Sequence, residues 1–99
     1  MTSHYVYVLK CKDETLYTGY TTNLKRRFIE HNTSIKGAKY TRGRRPVEMV
    51  HFETFITKSD ALKWEHQFKK LKKHQKLNFI MACKNIVTDT YLTKINEKE

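Results

Sequence analysis

Cysteine is scarce in this chain. Cys11 and Cys83 are the only two in 99 residues, and neither has a histidine or another cysteine beside it at metal-ligand spacing. A structural zinc site is therefore not expected. Nothing asks for a disulfide between them, and two buried thiols in a cytosolic protein is the preferred reading. Long apolar runs are missing too. No stretch approaches the roughly 20 residues that span a bilayer. Met1-Thr2-Ser3-His4 leads straight into a strand-like run, without the basic and apolar segments of a signal peptide. Internal repeats and an interdomain linker are absent as well. These absences predict a soluble, cytoplasmic protein of one domain, long enough to bury a core without staples.

Acid is the other shortage. Ten Asp and Glu face twenty Lys and Arg, a net charge of +10. Such a field attracts polyanions and raises encounter rates with them. Charge alone admits a membrane surface, an acidic protein or a nucleic acid. Nucleic acid is favoured, because no helix has a strongly apolar lipid-facing side and aromatics are interleaved with the basic residues.

Residues 5–11 are β-branched and aromatic on both faces, which predicts a strand covered on both sides. A polar turn at 12–14 and a second strand over 15–20 make an antiparallel hairpin. Thr22 or Asn23 can cap a helix from Leu24 to about Asn32. At about 100° per residue, Leu24, Phe28 and Ile35 fall on one stripe. Residues 36–45 read as a loop with five positive charges and two glycines, closed by Pro46. A third strand follows over 48–56. Thr57 and Asp60 form a capping signal for a helix whose stripe is Ala61, Trp64, Phe68 and Leu71. A shorter helix over 75–84 uses Leu77, Ile80 and Met81. From 85 to 99 the pattern dissolves into a polar tail expected to fray. The order β-β-α-β-α-α predicts an α/β (α+β) sandwich, with a three-stranded antiparallel or mixed sheet in a domain over 4–84.

Some polar residues sit where this scheme does not want them. Arg27 and His31 share a helix face with Leu24 and Phe28, on the side that packs inward, where an unpaired charge is costly. They need a partner or a function. Glu65 lies at the edge of its helix stripe, and its simplest role is an i,i+4 pair with Lys69. Tyr5, Tyr7 and Tyr17 in strands would ordinarily fill a core and tether the hydroxyl. Gly19 inside a strand marks a bulge or a close backbone approach.

Tyr5-Val6-Tyr7, Tyr17-Thr18-Gly19, Arg27 with His31, and Glu65 within Ala61-Leu62-Lys63-Trp64-Glu65 stand in an order that resembles the GIY-YIG nuclease superfamily. Within it the chain is similar to small single-domain UPF0213-type proteins and to the N-terminal domain of the bacterial excision-repair nuclease. The resemblance covers about residues 4–80. Tyr5 stands where the name-giving glycine would be, and Tyr20 where repair-type members often carry a lysine.

The resemblance implies a metal-dependent endonuclease acting on DNA, in repair or recombination. Its catalytic residues would be Tyr7, Tyr17, Arg27, His31 and Glu65. Glu65 would hold Mg²⁺ or Mn²⁺, and Arg27 would stabilise charge on the phosphate. Tyr17 or His31 would be the general base, a choice left open. Lys36, Lys39, Tyr40, Arg42, Arg44 and Arg45 in the loop, with Lys69 and Lys73, would contact phosphates. The chain is expected to be a monomer without membrane contact. The alternatives are a non-catalytic nucleic-acid-binding module and a nuclease that needs a partner protein for targeting.

Overall fold

A computed structural model of the chain describes residues 2–84 and 86–97. Three strands, β1 (His4–Lys10), β2 (Leu16–Thr21) and β3 (Glu48–Phe55), form one antiparallel sheet in the order β2-β1-β3. The central strand is the one with apolar residues on both faces, and Val6, Tyr7, Val8 and Leu9 are all buried. Alternation along β1 sends these residues to two separate cores. Tyr7 and Leu9 pack with Leu24 and Phe28 of α1 (Leu24–Thr33), Met49 of β3, and Leu92 and Ile95 of α5 (Ile86–Asn96). Val8 packs on the other face with Phe68 of α3 (Lys58–Lys69) and Ile80 of α4 (Lys73–Ala82), joined by Trp64, Leu71 and Phe79. The expected sandwich is present, and its sheet is antiparallel.

Two expected helix starts use the expected caps. Asn23 Oδ1 accepts the Arg26 N–H at 3.0 Å, and Thr57 Oγ1 accepts the Asp60 N–H at 3.1 Å. Each such cap contributes about 1 kcal/mol.

Three segments depart from the sequence reading. The basic loop is not all loop, because Lys39–Arg42 forms a short helix, α2, with Thr41 fully buried beneath it. The tail is not a tail over 86–96. Those residues form α5, which buries Leu92 and Ile95 and bonds Asn96 to the backbone N–H and carbonyl of Met49 at 2.8 and 2.9 Å. Two core residues among Thr, Lys and Asn make too thin a stripe to stand out in a polar segment. Ile35 lies beyond the end of α1 and is 86% exposed, since Ser34 leaves the helix in an extended conformation. In α4, Ile80 is buried but Leu77 and Met81 face outward.

Candidate active site

The site forms where the centre of β1 meets β2 and the last turn of α1. Tyr7 pairs in register with Gly19 of β2. A Cβ at Gly19 would sit 2.5 Å from the Tyr7 hydroxyl oxygen and 2.7 Å from its Cζ. The glycine is thus required by close approach, since no glycine here has a positive φ. Tyr17, two residues earlier on the same face, places its ring 6.5 Å from that of Tyr7. His31 rises from α1 between them, edge-on to both rings at 5.5 and 5.3 Å, and is 0% exposed. Its Nε2 is hydrogen-bonded to the Tyr7 hydroxyl at 2.6 Å, and its Nδ1 to Thr41 Oγ1 at 2.9 Å. The inward-facing histidine therefore has partners on both nitrogens.

Arg27, one turn before His31, is about three-quarters buried. Its Nη1 donates to Glu30 Oε1 at 2.9 Å and to the Lys36 carbonyl at 2.7 Å. Burial, helped by Arg27, holds the His31 imidazole down at about 4; Glu30 opposes this and Arg45 adds to it. His31 is therefore neutral at physiological pH. Burial also pushes the Tyr7 hydroxyl well above the ordinary phenol range. The Arg27 guanidinium opposes that rise, while Tyr17 and Glu65 reinforce it. Tyr7 is consequently a fixed proton donor, and Tyr17, Arg27 and Glu65 all lie within electrostatic reach of it.

Glu65 keeps the pairing expected of it, with Lys69 Nζ at 3.0 Å, while its own side chain is only 15% exposed. A lone, half-sheltered carboxylate is a suitable donor for a hard cation that keeps most of its waters, and Lys69, 52% exposed, is able to swing aside. Among the described residues, His51, Glu53 and Cys83 also bring ligand atoms within 4.8 Å of one another. They could hold a cation, but they lie on the Val8 face of the sheet, away from Tyr7. There His51 Nε2 already bonds Glu53 at 2.6 Å.

The expected phosphate-contact residues divide by environment. Lys36, Lys39, Arg42, Lys69 and Lys73 are exposed. Arg44 is tied to Asp13 at 3.0 Å, donates to the Tyr40 carbonyl at 2.8 Å, and lies 3.9 Å over the Tyr40 ring. Tyr40 in turn stacks on Tyr17 at 5.8 Å. Arg45 turns inward and donates to the carbonyls of Glu30, His31 and Ser34 at the end of α1. Of the site's other members, Thr41 was not singled out from the sequence. A threonine in a basic, glycine-containing stretch carries no signal of burial. Glu30 could have been found as the i,i+3 partner of Arg27.

The family model described as the GIY-YIG catalytic domain matches residues 3–78. The chain is a member of the GIY-YIG family. It is 62% identical over 73 residues to a UPF0213 protein of Natronomonas pharaonis, covering 74% of this chain and 85% of that one. A UPF0213 protein of Clostridium perfringens is 52% identical over 93 residues, 94% of this chain and 98% of its own. The solution NMR structure of a UPF0213 protein from Bacillus halodurans superposes with a TM-score of 0.57 at 43% identity, covering 89% of this chain and 93% of that one. GIY-YIG is a nuclease family, generally metal-dependent, so membership points to hydrolase chemistry on a phosphodiester. Among the described residues no helix is long and apolar enough to cross a membrane.

Proposed function

We propose that this GIY-YIG domain is an endonuclease that hydrolyses DNA phosphodiesters with one divalent cation, Mg²⁺ or Mn²⁺, in repair or recombination. The observation that carries the reading is the convergence of Tyr7, Tyr17, His31 and Arg27 around one buried hydrogen bond, with the Glu65 carboxylate close enough to be felt there. A purely structural cluster would not need to bring an arginine and a glutamate to the same tyrosine.

The residues take the following roles. Arg27, held by Glu30 and the Lys36 carbonyl, presents the rest of its planar guanidinium to phosphate oxygens and offsets their developing charge. Glu65 holds the cation, which polarises the phosphate and eases departure of the leaving oxygen. Tyr7 keeps its proton and fixes the site's shape. His31 is fully buried with both nitrogens engaged, so it does not meet a solvent water as base. That favours Tyr17, which is half-buried, as the group that orients the attacking water and takes its proton. The exposed cations Lys36, Lys39 and Arg42 beside the site, with Lys69 and Lys73, hold the DNA backbone. The protein acts as a monomer, and any targeting partner docks on surfaces outside this cluster.

The test is cleavage of nicked, branched and supercoiled DNA with Mg²⁺ or Mn²⁺, comparing wild type with Glu65→Ala and Arg27→Ala. Metal-dependent cutting that both variants lose, with binding largely kept, is expected. Salt-sensitive binding without any cutting by the wild type would reduce the chain to a binding module.

A further inference from the structure

The hydrogen bonds around His31 have a direction, and Thr41 sets it. A threonine hydroxyl carries one proton. Thr41 Oγ1 lies 2.9 Å from the Ala38 carbonyl oxygen, which only accepts, so the hydroxyl proton is committed there. The contact of 2.9 Å between Thr41 Oγ1 and His31 Nδ1 then needs a proton on Nδ1. A neutral imidazole protonated on Nδ1 has a bare lone pair on Nε2, and the Tyr7 hydroxyl 2.6 Å away supplies the proton for that contact. The reverse arrangement fails twice. It would leave two oxygens 2.9 Å apart with no proton between them. It would also leave the buried Tyr7 O–H without an acceptor, because its other polar neighbour, Arg27, only donates.

We propose that Thr41 is a positioning residue that locks His31 in the Nδ1–H tautomer and so holds the Tyr7 hydroxyl as a donor into the imidazole, with its lone pairs left facing Arg27. Three buried side chains, from β1, α1 and α2, thereby form one polarised chain that ends on a backbone carbonyl. Thr41 sits on α2 between Tyr40 and the exposed Arg42, so the segment that meets the substrate backbone is the same one that fixes the site's protons. The catalytic consequence rests on the nuclease reading; the tautomer does not.

The experiment is long-range ¹H–¹⁵N correlation NMR of the His31 ring in the full chain, for wild type, Thr41→Ser and Thr41→Val, with cleavage kinetics in parallel. In wild type and Thr41→Ser, Nδ1 is expected to resonate as the protonated nitrogen and Nε2 as the bare one. In Thr41→Val, the Nε2–H form becomes populated. There kcat falls at least about 10-fold with KM nearly unchanged, and serine restores it. Wild type found with the proton on Nε2 would overturn the proposal whether or not any variant folds. So would a Thr41→Val protein that keeps the Nδ1–H form. A wild type that shows the expected tautomer but cuts no DNA would refute the nuclease reading and leave the role of Thr41 standing.

Discussion

Gly19→Ala tests whether the site is built by close packing across the hairpin. The added methyl would enter 2.5 Å from the Tyr7 oxygen, 2.7 Å from Cζ and 3.1 Å from Cε2 of Tyr17. Tyr7 is 1% exposed and its ring is rigid, so it moves only as a body. Overpacking of this kind costs about 1–3 kcal/mol. Displacing the hydroxyl from His31 adds the loss of a buried hydrogen bond and leaves a polar atom unsatisfied, about 1–3 kcal/mol more. Against this, alanine lowers the entropy of the unfolded chain, worth about 0.4–1 kcal/mol. The net is a destabilisation of about 3 kcal/mol, or roughly 12–24 °C in Tm for a domain of this size. The assay is urea unfolding of Gly19→Ala, Tyr7→Phe and the double variant. With phenylalanine at position 7 the hydrogen bond is already gone, so the double variant should cost about 1–2 kcal/mol less than the sum. Gly43→Ala serves as the contrast. Nothing lies within 4 Å of a Cβ there, and its φ is −87°, so the same substitution should be neutral or stabilising. A Gly19→Ala cost below about 0.5 kcal/mol, or strict additivity with Tyr7→Phe, would refute the close-approach account.

The buried histidine also makes stability depend on pH. His31 titrates near 6.5 when unfolded and near 4 when folded, so the unfolded chain binds more protons between those values. The contribution is fully present above about pH 6.5 and is lost as pH falls toward 4, about 3 kcal/mol in all. Urea midpoints from pH 7.5 to 4 should therefore fall more steeply for wild type than for His31→Gln, and parallel profiles would contradict the assignment. For α5, Ile95→Ala should cost about 2–4 kcal/mol by equilibrium unfolding, because the side chain is 3% exposed against the sheet. A frayed end would lose almost nothing on the same change.

Local chemistry made much of the fold readable. The apolar run of β1 demanded cover on both faces, and Asn23 and Thr57 offered caps the backbone then used. Helical spacing brought out the Ala61–Phe68 stripe. The same spacing exposed Arg27 and His31 as polar residues facing inward, which is where the candidate site lies. Each of these signals comes from residues near in sequence, whose geometry is fixed by the helix or strand they belong to.

What stayed hidden depends on contacts between distant segments. Thr41 is buried because α2 folds back onto His31, ten residues away, and a threonine in a basic stretch gives no hint of that. Arg45 turns inward because the end of α1 leaves carbonyls that need donors. Leu92 and Ile95 become core only because β3 lies beneath them, 47 residues from Asn96 to its partner Met49. By itself the sequence determined the strands, the capped helices and the kinds of residue a phosphodiester site would need. Only the tertiary structure decided which of those residues meet and which way their protons point. Hydrogen-bond partners and burial across elements are set by packing, and no local pattern encodes packing.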